Sequence, residues 1–136
     1  MDKTYNIFIS HSWNYSDEYD RLKRLLDKSG IKYRDYSVPK NDPIHNAKND
    51  KELKEAIKNQ MRNASVIIVL AGVYSTYSKW INIEMELAKE GFFVDKKIIA
   101  VELFGSERTS SIVKQKADKI VKWNSLSIAD AIKELG

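Results

Sequence analysis

Short apolar runs alternate with amphipathic segments five times along the chain, and this alternation restricts the fold more than any other feature of the sequence. The runs are rich in β-branched and aromatic residues, as buried strands are, and they cover residues 5–10, 31–36, 65–72, 96–103 and 119–123. Strands that are separated by helices need crossover connections. The pattern therefore predicts an α/β fold in which helices cover both faces of a mostly parallel sheet.

Capping residues and glycines mark the ends of the intervening helices. The predicted helices run from Ser16 to Ser29, from Asn49 to Met61, from Ser78 to Glu90, over residues 106–116, and from Ser127 to the end of the last apolar stripe. Gly30 and Gly91 follow the first and third helices, at the position where glycine is favoured. In the last helix, the residues expected to face inward are Ile128, Ala131, Ile132 and Leu135.

The flavodoxin-like order 2-1-3-4-5 is the leading topology for five such strands, and it makes the fold a three-layer sandwich. A chain of 136 residues has the size of one ordinary domain, so residues 1–136 are expected to form a single domain. This strand order places a topological switch point between strands one and three, where ligands bind in α/β sheets. The loops after these strands, residues 10–15 and 72–77, are therefore the expected walls of a binding site.

Composition excludes several kinds of site. The chain has no cysteine and only two histidines, His11 and His45, so a disulfide framework, a thiolate nucleophile and a metal site are not expected. The N-terminus lacks the basic start and long apolar core of a signal peptide. No run approaches the roughly 20 apolar residues of a membrane helix. The sequence therefore predicts a cytoplasmic protein without a membrane partner.

The net charge of +4 and the pI of about 9.1 raise the question of nucleic-acid binding. A nucleic-acid interface needs basic residues clustered on one face. In this chain the lysines are interleaved with acids at helical spacing, as Lys51, Lys54 and Lys58 are with Glu52 and Glu55. Such spacing is typical of solvated helix faces, so no nucleic-acid partner is expected.

One carboxylate interrupts the apolar face of the third predicted helix. At about 100° per residue, the apolar side chains of this helix form one arc that includes Trp80, Ile83 and Leu87. Glu84 falls inside that arc, about 40° from Trp80. An ionised carboxylate on a packed face must be paired, protonated or directed into a cleft, because its desolvation is costly. Glu84 is therefore either a structural residue that caps backbone amides or pairs with a lysine, or a functional residue that reaches a ligand at the switch point.

Side chains near the ends of strands one and three are expected to line the same cleft as Glu84. The loop after strand one begins Ser10-His11-Ser12-Trp13 and is dense in hydrogen-bonding groups. The predicted substrate-binding residues are Phe8, Ser10, His11, Ser12, Tyr36, Tyr74 and Trp80. Each of them has an ordinary alternative role, because serines are common in turns and aromatic residues often fill a core.

Several of these residues occur together in a known family. The strand NIFIS opening into His11-Ser12, the run SVIIVL, and Ser78-Lys79-Trp80 followed by Glu84 and Ala88 resemble TIR domains. The resemblance is closest to the bacterial TIR-like domains of Thoeris antiphage systems, and it covers nearly the whole chain. The spacing from Trp80 to Glu84 is its most specific part. The chain differs from the common pattern at His11-Ser12, where many TIR domains carry an aromatic or basic residue after the serine.

The resemblance implies an enzyme that uses NAD as its substrate and needs no separate cofactor. It makes Glu84 the catalytic residue, and residues 37–49 resemble the mobile loop beside the pocket. The implied reaction is cleavage of the bond between nicotinamide and ribose, often followed by cyclisation of the ADP-ribose into a signal molecule. The resemblance also implies self-association, and a product that acts on a separate effector protein.

Two other families with this topology do not fit the sequence. A two-component receiver needs an acidic pair after strand one and a phosphoacceptor aspartate at the end of strand three, where this chain has Ser10-His11 and Ala71-Gly72. A flavodoxin holds the FMN phosphate in a glycine-rich loop, whereas residues 11–19, HSWNYSDEY, contain no glycine. A non-enzymatic TIR-like interaction module is the open alternative, and the role of Glu84 distinguishes it from an enzyme.

Overall fold

Strands and helices alternate in the structure as the sequence predicts. The computed structural model describes residues 3–10, 16–36, 50–71, 79–92, 96–102 and 111–136. The elements are β1 (Thr4–Ser10), α1 (Ser16–Ser29), β2 (Lys32–Asp35), α2 (Asp50–Met61), β3 (Val66–Ala71), α3 (Lys79–Glu90), β4 (Lys97–Glu102), α4 (Ser111–Lys116), β5 (Lys119–Lys122) and α5 (Ser125–Leu135). Residues 106–110 of the predicted fourth helix lie outside the described residues.

The five strands form one sheet in the order β2-β1-β3-β4-β5. All four neighbouring pairs are parallel, so the predicted flavodoxin-like order is confirmed and the sheet is parallel throughout. The chain moves outward from the centre in both directions, with β2 beside β1 and with β4 and β5 beyond β3. The switch point therefore lies between β1 and β3.

The central strands are buried on both faces. In β3 the residues from Val66 to Leu70 are all inaccessible to solvent, and in β4 so are those from Ile98 to Val101. A strand covered by helices on both faces has no polar side, which explains why these two runs are continuously apolar instead of alternating. Burial of this kind is the main favourable contribution to folding.

Helices α1 and α5 cover one face of the sheet. Residues that pair across a parallel sheet point to the same face, and Ile7 pairs with both Asp35 and Val66. The Asp35 carboxylate lies 3.8 Å from the Lys23 amine of α1, so α1 lies on the face of Ile7. Helix α5 packs against α1 and therefore covers the same face.

Helices α2 and α3 cover the opposite face. The connection from β1 to β2 runs in one direction along the sheet, whereas those from β2 to β3 and from β3 to β4 run in the other. Because crossovers between parallel strands are right-handed, this reversal places α2 and α3 on the face opposite to α1. The face beneath them carries Phe8, Ile67 and Ile98, which are Cα partners in the register.

The ends of three helices show why a glycine or a particular capping residue is present there. Gly30 follows α1 with φ of +78°, a left-handed conformation that glycine adopts without steric cost. Gly91 is needed for a different reason, because a Cβ atom there would lie 2.7 Å from the carbonyl oxygen of Leu87. The prediction of Ser127 as the cap of the last helix is wrong: Asn124 is the N-cap, and its Oδ1 accepts a hydrogen bond of 2.7 Å from the Ser127 backbone N–H.

Asp118 connects three elements at the amino-terminal edge of the sheet. It lies just before β5, its carboxylate accepts a 2.8 Å hydrogen bond from the backbone N–H of Ile98 in β4, and the Lys89 ammonium of α3 donates to the same oxygen. Partial burial acts to raise the Asp118 pKa, but the hydrogen bonds from Lys89 and Ile98 and the charges of Lys89 and Lys97 outweigh it, so the pKa is lowered.

Replacement of Asp118 by Asn is expected to destabilise the protein by about 1 kcal/mol at neutral pH. The folded-state pKa is depressed, so the contribution of Asp118 is fully present above the unfolded-state value of about 4 and is lost as pH falls through the folded-state value. The difference between wild type and Asp118→Asn should therefore shrink in acid. Urea unfolding at neutral and acidic pH measures it.

Glu134→Gln is the matched control for Asp118→Asn. Glu134 also pairs with a lysine, Lys119, but the two side chains are 60% and 38% exposed, against 27% and 19% for Asp118 and Lys89. Exposed pairs contribute little because water screens them, so Glu134→Gln should leave the unfolding free energy nearly unchanged. Equal effects of the two substitutions at neutral pH would contradict the role assigned to Asp118.

Candidate active site

Helix α3 carries Glu84 into the packed interface with the sheet. The Glu84 side chain is 1% exposed, and its neighbours Met85 and Ala88 are inaccessible. Glu86 and Glu90 on the same helix are exposed. The helical phase that the sequence predicts is therefore confirmed, and Glu84 is the one charged residue that is buried in the described part of the chain.

A buried carboxylate needs compensation, because transfer of its charge out of water is costly. Glu84 takes part in at least one noncovalent interaction within the protein. An ordinary core position in this fold would carry an apolar residue, as the neighbouring positions Met85 and Ala88 do. The cost of keeping a carboxylate here indicates a role that an apolar side chain cannot perform.

Glu84 lies on the half of α3 that is nearest to the carboxyl ends of the strands. Helix α3 follows β3 and runs back along the sheet, and Glu84 is its sixth residue. At about 1.5 Å per residue, its Cα lies about 8 Å along the helix axis from the start of α3. The carboxyl ends of β1 and β3 meet at the switch point beside this end of the helix.

Three of the predicted binding residues lie at the carboxyl ends of β1 and β2. Phe8 is inaccessible to solvent and lies on the sheet face that α2 and α3 cover. Ser10 is the last residue of β1 and pairs with Val69. Tyr36 directly follows β2, is half-buried against the core, and donates a backbone hydrogen bond of 2.8 Å to the carbonyl oxygen of Ile7. Asp35 is the Cα partner of Ile7. The next residues along the two strands, Tyr36 and Phe8, therefore lie beside each other.

The remaining predicted residues are only partly described. Trp80 is the second residue of α3, four positions before Glu84, and therefore lies about one helical turn nearer the start of the helix. His11, Ser12 and Tyr74 lie outside the described residues, as does the loop of residues 37–49. The structure therefore places Phe8 and Tyr36 at the strand ends on the Glu84 side and Ser10 at the end of β1, and the substrate contacts of all seven residues stay predictions.

Glu102 is a second acidic residue at this edge that sequence reasoning missed. It is the last residue of β4, is half-buried, and pairs with Ala71 of β3. Ala71 is four residues beyond Ile67, the Cα partner of Phe8, so Glu102 lies on the same face as Phe8. An acid at the end of the apolar run IIAV is the signal in the sequence, but only the strand register assigns it to the Glu84 face.

The described residues form no group of three or more histidine, cysteine or acidic side chains that could bind a metal ion. Every helix among them is also too short or too polar for a membrane-spanning segment. What the described part of the site offers is one buried carboxylate, with an aromatic side chain at Tyr36 beside the strand ends. Such an arrangement can hold a polar, ring-containing ligand and stabilise positive charge that develops on it.

A family model described as "Thoeris protein ThsB, TIR-like domain" matches residues 8–108. The matched segment is most of the chain and includes the last three residues of β1 and all of β2, β3 and β4, with Glu84 and all seven predicted binding residues. The chain belongs to the ThsB TIR-like domain family. Membership of this Thoeris family implies a role in antiphage defence, and it confirms the resemblance found in the sequence.

Other comparisons add little about this ThsB-type domain. No curated protein matches it. Among solved structures, the pilus assembly protein CpaE from Caulobacter crescentus is similar with a TM-score of 0.46 and 11% sequence identity, covering 97% of this chain and 92% of that chain. A similarity of this strength supports no statement about function.

Proposed function

We propose that this TIR-like domain is an enzyme that cleaves the nicotinamide–ribose bond of NAD, with Glu84 as the catalytic residue. The observation that carries the proposal is the burial of the Glu84 carboxylate on the α3 face toward the sheet, close to the switch point. Membership of the ThsB TIR-like family supports it, because TIR domains include NAD-processing enzymes with a glutamate at this place.

The chemistry needs one carboxylate and no metal. When the bond between the nicotinamide nitrogen and ribose C1′ breaks, the electron pair stays on the nitrogen, and nicotinamide leaves as a neutral molecule. Positive charge then develops on the ribose, as in other glycoside cleavages. A carboxylate hydrogen-bonded to the ribose hydroxyls holds the sugar and stabilises that charge, and Glu84 would supply this group.

The fate of the ribose cation determines the product. Attack by water forms ADP-ribose and releases a proton, whereas attack by a nucleophilic atom of the same ADP-ribose forms a cyclic product. A cyclic product of the ADP-ribose type fits a defence protein that signals to a separate effector, and we include it in the proposal. Phe8, Ser10, His11, Ser12, Tyr36, Tyr74 and Trp80 are the residues proposed to bind the substrate around Glu84.

Mass spectrometry of nucleotides tests the proposal directly. Purified protein is incubated with NAD, and nucleotides are also extracted from cells that express the protein and are challenged with phage. Release of nicotinamide together with ADP-ribose or a cyclic isomer is the expected result. Unchanged NAD under both conditions, with protein shown to be folded, would instead favour the non-enzymatic interaction module.

The activity is proposed to depend on self-association. A neighbouring subunit laid over the cleft would exclude water and lower the local dielectric, which strengthens the attraction between Glu84 and a cationic ribose. Specific activity is therefore expected to rise steeply with protein concentration. Ile44→Asp, in the loop of residues 37–49, should suppress that rise without unfolding the domain. A flat specific activity over concentrations at which light scattering detects only monomer would refute this dependence.

A further inference from the structure

A groove of about 410 Å³ runs between α2 and α3, on the outer surface of the sandwich. Lys51, Lys54, Glu55 and Lys58 of α2 line it, together with Leu87 of α3. Leu87 is half-buried and packs against the core, so it forms an apolar floor. Glu84 is not among the lining residues, and the groove is therefore distinct from the candidate active site.

Positive charge extends beyond the groove at the end of α2. Lys58 lies over the ring of Phe92, with its Nζ 5.5 Å from the ring centroid, and Lys96 approaches the same ring at 4.7 Å. The Lys96 amine also donates a 3.0 Å hydrogen bond to the backbone carbonyl of Arg62. Two lysines thus lie over one half-buried aromatic ring, and one of them, Lys58, also lines the groove.

Few acidic side chains neutralise the positive charge of this surface. We call it the basic groove and define it by Lys51, Lys54, Lys58, Arg62 and Lys96. Among the described residues, only Lys54 of the five forms an ion pair, at 3.9 Å from the exposed Glu86. The one acid lining the groove is Glu55. Partial burial and, second, repulsion from the positive charge of Arg62 lower the pKa of Lys96. A bound anionic group would offset that repulsion.

We propose that the basic groove binds an acidic helical segment of a partner protein. Lys51, Lys54 and Lys58 are spaced by three and four residues and form a stripe of about 10 Å along α2. Acidic residues at i, i+4 and i+7 on a helix packed antiparallel to α2 match that stripe. Leu87 and Phe92 offer apolar contacts for side chains between the acids, as in other groove complexes of amphipathic helices.

Solvated helix faces also carry lysines, but two features distinguish this surface from them. The lysines border a cavity with an apolar floor instead of covering a convex surface. The aromatic ring between Lys58 and Lys96 is only half-buried, so it is available to a partner. Apolar contact bordered mainly by positive charge is the composition expected of a docking site for an acidic amphipathic partner.

The probe for this site is a fluorescein-labelled helical peptide. It carries glutamates at i, i+4 and i+7, with leucines between them. Fluorescence anisotropy is expected to show saturable binding that weakens as salt increases. Lys51→Gln combined with Lys58→Gln should weaken binding about tenfold or more, and Leu87→Ala should also weaken it. Glu84→Gln should bind the peptide as wild type does, because the groove does not include the active-site carboxylate.

Two controls make the binding experiment decisive. Lys114→Gln combined with Lys122→Gln removes the same charge from exposed lysines of α4 and β5 and should leave binding unchanged. A peptide with glutamine in place of each glutamate should not bind. The proposal is overturned if the control variant weakens binding as much as Lys51→Gln with Lys58→Gln does, or if inorganic phosphate displaces the peptide at equal concentration. It is also overturned if the groove variants abolish self-association in sedimentation while peptide binding is absent.

Discussion

The Glu84→Gln protein is expected to fold normally and to lose NAD cleavage by a factor of about 100 to 1,000. Glutamine preserves the size and hydrogen-bonding shape of the side chain but removes the negative charge. That charge is the group proposed to stabilise the ribose cation, so its loss acts on the transition state more than on substrate binding. The kcat should therefore fall while KM changes little.

The unfolding free energy of Glu84→Gln should stay close to that of wild type. A negative charge on the Glu84 carboxylate, which is 1% exposed, is costly to bury, so a neutral amide of the same shape lowers that cost, but it also weakens the interaction that Glu84 makes within the protein. Because these two effects oppose each other, urea unfolding of Glu84→Gln is expected to give an unfolding free energy within about 1 kcal/mol of wild type. A loss of activity with retained or raised stability is characteristic of a functional residue and not of a structural one.

Glu86→Gln is the matched control for Glu84→Gln. Glu86 lies on the same helix two residues away, is exposed, and is not part of the packed face. Its substitution removes the same charge and should leave both NAD cleavage and stability unchanged. Full activity in a folded Glu84→Gln protein would exclude the catalytic assignment. Failure of Glu84→Gln to fold, while Glu86→Gln folds, would show that the carboxylate is structural.

The sequence predicts the fold because each local signal agrees with the global arrangement. Residues 66–71 and 98–101 are continuously apolar, as is expected of a strand that is covered on both faces, and they lie in the central strands β3 and β4. The orientation of α3 is predictable for the same reason. Glu84 is the single acid within the apolar arc of this helix, and the structure buries it.

Other features depend on interactions that the sequence does not specify. Asn124 and Ser127 are both good N-cap residues, and the choice between them depends on how closely the helix follows β5 in three dimensions. Glu102 could not be assigned to the Glu84 face without the register between β3 and β4. The contacts of all seven predicted binding residues with a substrate stay predictions, and His11, Ser12 and Tyr74 also lie outside the described part of the chain.

The Phe8→Ala substitution is expected to cost about 3–5 kcal/mol of unfolding free energy. Phe8 is inaccessible to solvent, and its Cα partner Ile67 is equally buried. Truncation removes most of a large apolar side chain and leaves a cavity beneath α2 and α3 that neighbours fill only partly. Small domains are stable by only about 5–15 kcal/mol, so this single change removes a large fraction of the total.

Two further variants are needed to interpret the result for Phe8→Ala: Leu126→Ala as an exposed control and Phe8→Leu as a conservative substitution. Leu126 is 70% exposed, so its truncation should change the unfolding free energy by less than about 0.5 kcal/mol.

Leucine at position 8 keeps much of the apolar volume and should cost less than about 2 kcal/mol of unfolding free energy. Phe8→Leu is therefore a folded protein whose KM for NAD can be measured. Unchanged KM in Phe8→Leu would assign Phe8 to the core that supports the site, whereas raised KM with little loss of stability would assign it to the substrate wall. A cost below about 1 kcal/mol for Phe8→Ala would contradict the packing of β1 against α2 and α3, because no fully buried phenylalanine in a well-packed core is removed so cheaply.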